Sequence, residues 1–227
     1  LQIIRMNKKP MYLGLSGLAG TGKDTFYKYL KTTLNKNLFK VKRYSLGDCL
    51  KEDAKEWCIK KYSIDPTNCS REEKNFIRPF LVSHASIMRA KSNGRYWIDL
   101  LQKKIDSEEN QDIDLAVITD IRYHEYDNDE VFWVKEELGG ILVHLTRYYT
   151  EYNVSGIPST KYLQPINEDE RRNDPSVKIV SDLKLEIYDV GTEEKDIEEE
   201  VLEKVNEFIG WYENNQEENG WKSLTQA

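Results

Sequence analysis

Cysteine, histidine and long apolar runs are scarce in this chain of 227 residues, and each scarcity excludes something. The three cysteines, Cys49, Cys58 and Cys69, are odd in number and lack metal spacing. Such usage argues against a disulfide framework and suits a reducing, cytoplasmic compartment. His84, His124 and His144 stand apart from one another and read as ordinary core or surface residues rather than a metal site. No apolar run approaches the roughly 20 residues of a membrane span, and no signal-peptide apolar segment opens the chain. Positive charge is also in deficit: 33 Lys and Arg against 40 Asp and Glu leave a net charge of -7. An acidic chain binds polyanions poorly, so a nucleic-acid polymer is not expected as the main partner. There is no internal repeat, and the length suits one α/β domain with a substantial core.

What is present is a phosphate-binding pattern. Residues 17–25 read Gly17-Leu18-Ala19-Gly20-Thr21-Gly22-Lys23-Asp24-Thr25, directly after the apolar run 11–16 and before a helical pattern. Glycines let the backbone fold tightly enough for successive N–H groups to face phosphate oxygens. Lys23 adds a point charge for the β- and γ-phosphates, and the next helix presents its positive end. The spacing from Gly17 to Gly22 to Lys23 fits the Walker pattern, and Gly17, Ala19, Gly20, Thr21, Gly22, Lys23, Asp24 and Thr25 are the expected nucleotide contacts. Asp24 departs from it, standing where Ser or Thr usually holds magnesium. It reads either as an organiser of magnesium-bound water or as a first-turn carboxylate favoured by the helix dipole.

Five strands are expected, over 11–16, 41–46, 115–119, 141–146 and 185–190, alternating with helices. The helices are expected over 24–34, 48–62 with Asp48 as cap, from Ser70 with Pro79 kinking or splitting it, through Trp97 to Ile105, over 127–138, and from 192 to 209. This order predicts an α/β fold, a five-stranded parallel sheet with helices on both faces. The polar stretch 148–175 reads as a lid, 48–110 contains a helical insert, and 214–227 reads as a polar tail after a single domain over 1–213.

Ligands of such sheets sit beyond the carboxyl ends of the strands. Asp48, Asp120, Arg122, Arg147 and Gly191 all follow a strand's carboxyl end. Asp120 closes the apolar run Leu115-Ala116-Val117-Ile118-Thr119 as a magnesium-orienting carboxylate would, directly or through water. The competing reading is a helix cap. Arg122, two residues on, offers a planar fork to a migrating phosphoryl group, or a surface ion pair. Lys51, Arg78 and Arg89 lie in the insert, the two arginines among apolar neighbours, where an arginine calls for an anionic partner. That partner is an acceptor phosphate or a structural carboxylate. Trp97 can stack on a base, or pack in the core. Arg171 and Arg172 end the lid candidate.

The loop 17–25, Ser45-Leu46-Gly47-Asp48-Cys49-Leu50-Lys51, Gly94-Arg95-Tyr96-Trp97, and Val117-Ile118-Thr119-Asp120-Ile121-Arg122-Tyr123 followed by Gly139-Gly140 resemble the bacteriophage-type deoxynucleoside monophosphate kinases of the P-loop nucleotide kinase group. The resemblance runs from about residue 11 to 210 in motif order, with Cys49 where relatives often have proline. It implies a nucleoside monophosphate kinase-like fold with an acceptor-binding insert and a lid. It implies transfer of the γ-phosphate of ATP to a deoxynucleoside monophosphate with magnesium. Gly20, Gly22, Lys23, Asp24 and Thr25 would hold the donor phosphates, and Asp120 and Arg122 would belong to the site. Asp48 and Lys51 would face the acceptor, and Arg147 would cover the adenine. A homodimer is compatible with the chain. Phosphomevalonate kinase shares a Gly-Lys-Asp loop and an Asp-x-Arg segment and is the nearest alternative. A nucleotide-hydrolysing switch is the more distant one, because Asn35-Lys36-Asn37-Leu38 lacks the acid of a guanine motif.

Overall fold

The computed structural model describes residues 10–36, 39–107, 113–189, 194–219 and 223–224. The order is β1 (Met11–Ser16), α1 (Lys23–Asn35), β2 (Val41–Tyr44), α2 (Leu46–Tyr62), α3 (Arg71–Lys91), α4 (Arg95–Ser107), β3 (Leu115–Ile121) and α5 (Glu130–Phe132), which continues as a π-helical turn, Trp133–Glu137. Then follow β4 (Ile141–Tyr152), β5 (Pro158–Tyr162), α6 (Glu168–Val180), β6 (Leu183–Tyr188) and α7 (Glu194–Asn219).

The sheet runs β2-β3-β1-β4, with every neighbouring pair parallel, and β6 lies parallel to β4. Alternate residues of each strand feed two layers. Leu13, Leu15, Val117, Val143 and Leu145 meet Phe26 and Leu30 of α1 and Val201, Val205 and Phe208 of α7. Tyr12, Ala116, Ile118 and Leu142 meet Trp97, Ile98 and Leu101 of α4 and Trp133. Burial on both faces is the reason these strands read as unbroken apolar runs. A smaller cluster, Ala54, Cys58, Ile77 and Leu81, joins α2 to α3. β1 leaves the middle of the sheet, so its carboxyl end, with that of β3 beside it, faces one edge.

The structure corrects several expectations. A sixth strand, β5, pairs antiparallel with the far half of β4, from Tyr148↔Tyr162 to Tyr152↔Pro158. The stretch 148–175 therefore holds the hairpin of β4 and β5 followed by the start of α6. Asn153 Oδ1 accepts the N–H groups of Ser155 and Ile157, both at 2.9 Å, and Gly156 takes φ +72° to close the turn. All five residues of β5 are exposed, so no apolar alternation announces it. α6 was hidden by Pro175 and because two of its three buried residues, Glu170 and Asn173, are polar. Ser45, rather than Asp48, caps α2, its Oγ accepting the Asp48 N–H at 3.3 Å. Pro79 neither splits nor ends α3. It lies on the exposed side, where water can reach the carbonyl it leaves unpaired. The helix expected over 127–138 begins only at Glu130, capped by Asp129. α7 runs past Asn214 to Asn219, and Leu224 is buried in the core.

Candidate functional site

The loop after β1 is shaped by three glycines at positive φ: Gly17 at +123°, Gly20 at +86° and Gly22 at +95°. At Gly17 a Cβ would stand 2.2 Å from the Leu145 carbonyl oxygen, so no other residue fits. Gly22 is the N-cap of α1 and supplies no side-chain cap, which leaves first-turn N–H groups directed at the loop. Thr21 is buried and its Oγ1 donates to Leu18 O at 3.0 Å. Lys23 folds back under the loop and donates to Gly17 O and Leu18 O, each at 2.7 Å. Among the described residues no carboxylate lies within ion-pair distance of its ammonium. Burial, and then repulsion from Arg122, lower the Lys23 pKa to about 8, against the weaker pull of Glu170, Asp120 and Asp24.

Asp24 projects from the first turn of α1 with its side chain 82% exposed, and Arg43 Nε reaches its Oδ1 at 3.4 Å. Arg43 also donates to Asp48 Oδ2 at 2.8 Å, and Lys51 donates to Asp48 Oδ1 at 2.8 Å. Burial alone would raise the Asp48 pKa, but the hydrogen bonds from Lys51 and Arg43 hold it below the ordinary carboxylate range. Four charged groups thus run from the phosphate-type loop to the start of the insert. Thr25 follows Asp24 in the same turn.

Asp120 sits at the carboxyl end of β3 with its carboxylate against the start of α2. It accepts from Ser45 Oγ at 2.8 Å, Leu46 N at 2.9 Å and Gly47 N at 2.7 Å. The helix-capping role is therefore real, whatever else Asp120 does. Arg122 is half-exposed and donates to Glu170 Oε1 of α6 at 3.3 Å. Together with Gly17 and Leu18 these two residues line a narrow cleft of about 20 Å³. Arg147, at the middle of β4, ties the loop down from the other side. It donates to Gly20 O at 3.0 Å and is paired with Asp189 at 2.6 Å. Gly191 lies outside the described residues.

Other expected acceptor contacts stand elsewhere. Arg89 is buried and already has its anion: it donates to both oxygens of Asp129, at 2.8 and 3.0 Å, and to Glu125 at 3.2 Å. Its guanidinium lies 3.5 Å from the Tyr123 ring centroid. Trp97 is 4% exposed and donates to Ala85 O, so it is a core residue rather than an open stacking surface. Arg78 is exposed on α3. Arg171 and Arg172 lie on α6, and they pair with Glu168 and Glu125. His144 is buried and fully engaged, with Asp174 at 3.0 Å and Thr146 at 3.3 Å.

Sequence reasoning missed Arg43, Ser45, Glu130 and Glu170. Ser45-x-x-Asp48 was a readable capping signal, and Arg43 a readable charge near a strand's carboxyl end. Nothing in a polar, acidic stretch distinguished Glu130, which is buried and whose pKa burial and the Asp129 charge raise to about 8. No group of three or more His, Cys, Asp or Glu among the described residues is arranged to hold a metal ion, and no helix among them is long and apolar enough to cross a membrane.

No protein-family model matches the chain, and no curated protein matches it. Among solved structures it is similar to the Cys556Ala mutant of the Mycobacterium tuberculosis APS kinase CysC, at 12% identity over 90% of this chain and 98% of that one, with a TM-score of 0.39. It is also similar to shikimate kinase from Aquifex aeolicus, at 12% identity over 86% and 96% of the two chains, with a TM-score of 0.35. Scores this low carry no argument about activity, which rests on the site itself.

Proposed function

We propose that this chain is an ATP-dependent phosphotransferase and that its acceptor is a deoxynucleoside monophosphate. Lys23 carries the donor half of the reading. It is a half-buried ammonium at the base of a positive-φ glycine loop, held by carbonyl oxygens and, among the described residues, by no carboxylate. Phosphate oxygens are stronger acceptors than carbonyls and would draw the amine to the loop's open side. The uncapped first turn of α1 would donate to the same phosphates. Arg122 would leave Glu170 and spread its fork over the migrating group.

The residues suit magnesium held mostly by phosphate and water. Asp24 has an exposed carboxylate, while Asp120, with three hydrogen bonds already, fits the ordering of a bound water better than direct ligation. When bound, the ion would neutralise charge on the donor phosphates. The acceptor half rests on the motif resemblance and on the Arg43–Asp48–Lys51 chain at the mouth of the insert. The test is ADP release with ATP and magnesium against a panel of deoxynucleoside and ribonucleoside monophosphates and phosphomevalonate. ADP formed with deoxynucleotides alone supports the proposal. Formation with phosphomevalonate alone moves the acceptor to the alternative, and equal ADP without any acceptor sinks the transfer reading.

A further inference from the structure

The segment leaving β3 begins with Arg122 and is closed by two buried acids. Glu130 Oε2 accepts the backbone N–H of Arg122 at 2.7 Å and of Tyr123 at 3.2 Å. Asp129 accepts the N–H groups of Glu125 at 3.1 Å, Tyr126 at 3.3 Å and Glu130 at 2.9 Å. Arg89, near the end of α3, holds both acids, with a bidentate pair to Asp129 and its Nη1 3.8 Å from Glu130 Oε1. The packing leaves no slack. A Cβ on Gly94 would stand 2.8 Å from Asp129 Oδ1, and Gly94 itself is at φ +89°. None of these contacts uses the side chain of Arg122. The two Glu130 bonds act on the main chain that aims it.

We propose that Glu130 is a positioning residue for Arg122, and that Arg89 and Asp129 hold Glu130 in place. Two N–H groups on one oxygen fix the direction in which the chain leaves the sheet edge, and so the point from which the Arg122 guanidinium reaches into the cleft beside Gly17 and Leu18. Displacement of a catalytic group by about 1 Å can cost on the order of 100-fold in rate. α3 belongs to the insert that the functional reading assigns to the acceptor. The Arg89 contacts therefore connect the acceptor side, through Glu130, to a donor-side arginine. The rate readout rests on the phosphotransferase reading, whereas the affinity readout needs only that MgATP binds.

A double-mutant cycle of Glu130→Ala and Arg122→Ala tests this, read on acceptor-dependent kcat/KM and on MgATP affinity. Arg122→Ala is expected to lose ~100-fold in kcat/KM, Glu130→Ala ~10-fold and mainly in kcat, and the double variant no more than Arg122→Ala alone. Thermal unfolding should show the same stability loss from Glu130→Ala in both backgrounds, because packing does not depend on Arg122. Multiplying losses, near ~1000-fold in the double variant, would mean Glu130 acts structurally and would overturn the proposal. Should Glu130→Ala not fold, Glu130→Asp withdraws the acceptor oxygen by one methylene. It is expected to lose activity only where Arg122 is present, and to lose more than Glu130→Gln, which keeps an oxygen in place. Glu130→Asp indistinguishable from the parent in rate and affinity overturns the proposal. If the parent binds MgATP but transfers to no acceptor, the functional reading fails and the affinity cycle still decides, by the same non-additivity. Arg122→Ala without effect on either readout overturns the positioning role.

Discussion

Lys23, half-buried under the glycine loop, and Arg89, buried beneath the segment after β3, are compensated in different ways. Lys23 faces carbonyl oxygens, and burial drives its pKa down to about 8. Arg89 faces three acids, Asp129, Glu125 and Glu130, and a tyrosine ring, and although burial opposes its charge, the bonds to Asp129 and the nearby Glu130 push its pKa up. The first cation is incompletely compensated and the second is saturated. A half-buried charge held only by carbonyls keeps the capacity to take an anion, whereas one with a bidentate carboxylate is part of the frame.

The comparison breaks most visibly if Arg89 is removed. Arg89→Met should cost about 3–5 kcal/mol of stability, because the buried Asp129 carboxylate would lose its counter-ion. Chemical denaturation measures this, and a loss under about 1 kcal/mol would show the pair to be dispensable. Lys23→Met should leave stability nearly intact or improve it, and should raise the barrier to phosphoryl transfer by at least ~2–4 kcal/mol. Turnover close to that of the parent would remove Lys23 from the mechanism.

A pH titration sharpens the same contrast. The Lys23 amine titrates at about 8 in the fold and at 10.5 when free. Its charged form is thus disfavoured by folding: the cost is present below pH 8 and is relieved as pH rises from about 8 towards 10.5. Phosphate binding needs the charged form, so ATP affinity should be level below about pH 8 and fall above it, by up to about tenfold for each further pH step. Affinity that stays level to about pH 9.5 would contradict the assignment. The smallest effect belongs to Asp24. Its carboxylate is 82% exposed and its contact with Arg43 is long, so Asp24→Ser should change stability by less than about 0.5 kcal/mol. Its effect should appear in the magnesium dependence of turnover, and an unchanged dependence would reduce Asp24 to a first-turn carboxylate.

The legible parts of the chain are those where local chemistry and tertiary environment agree. β1, β3 and the near half of β4 are buried on both faces and read as apolar runs. The loop glycines were legible because the backbone they form is open to few other residues. Ser70 was legible because its cap is completed within four residues by Glu73. β5 and α6 were not, because an exposed strand and a helix burying Glu170 and Asn173 lack the expected apolar period.

The sequence by itself determined a glycine-rich loop between a strand and a helix, the five parallel strands, and a convergence of Asp120, Arg122 and Arg147 on one edge, since these follow from short-range pattern and the direction of parallel strands. Only the tertiary structure decided which charges are free. Arg78, Arg89 and Arg122 are alike in sequence, yet one is exposed, one is clamped by Asp129 and Glu125, and one rests on Glu170 across the cleft. The partners of Arg89 and Arg122 lie 36 to 48 residues away along the chain, and long-range pairing of that kind leaves no periodic trace. A charge's role is set by what the fold brings to meet it, and that is settled by packing rather than by spacing.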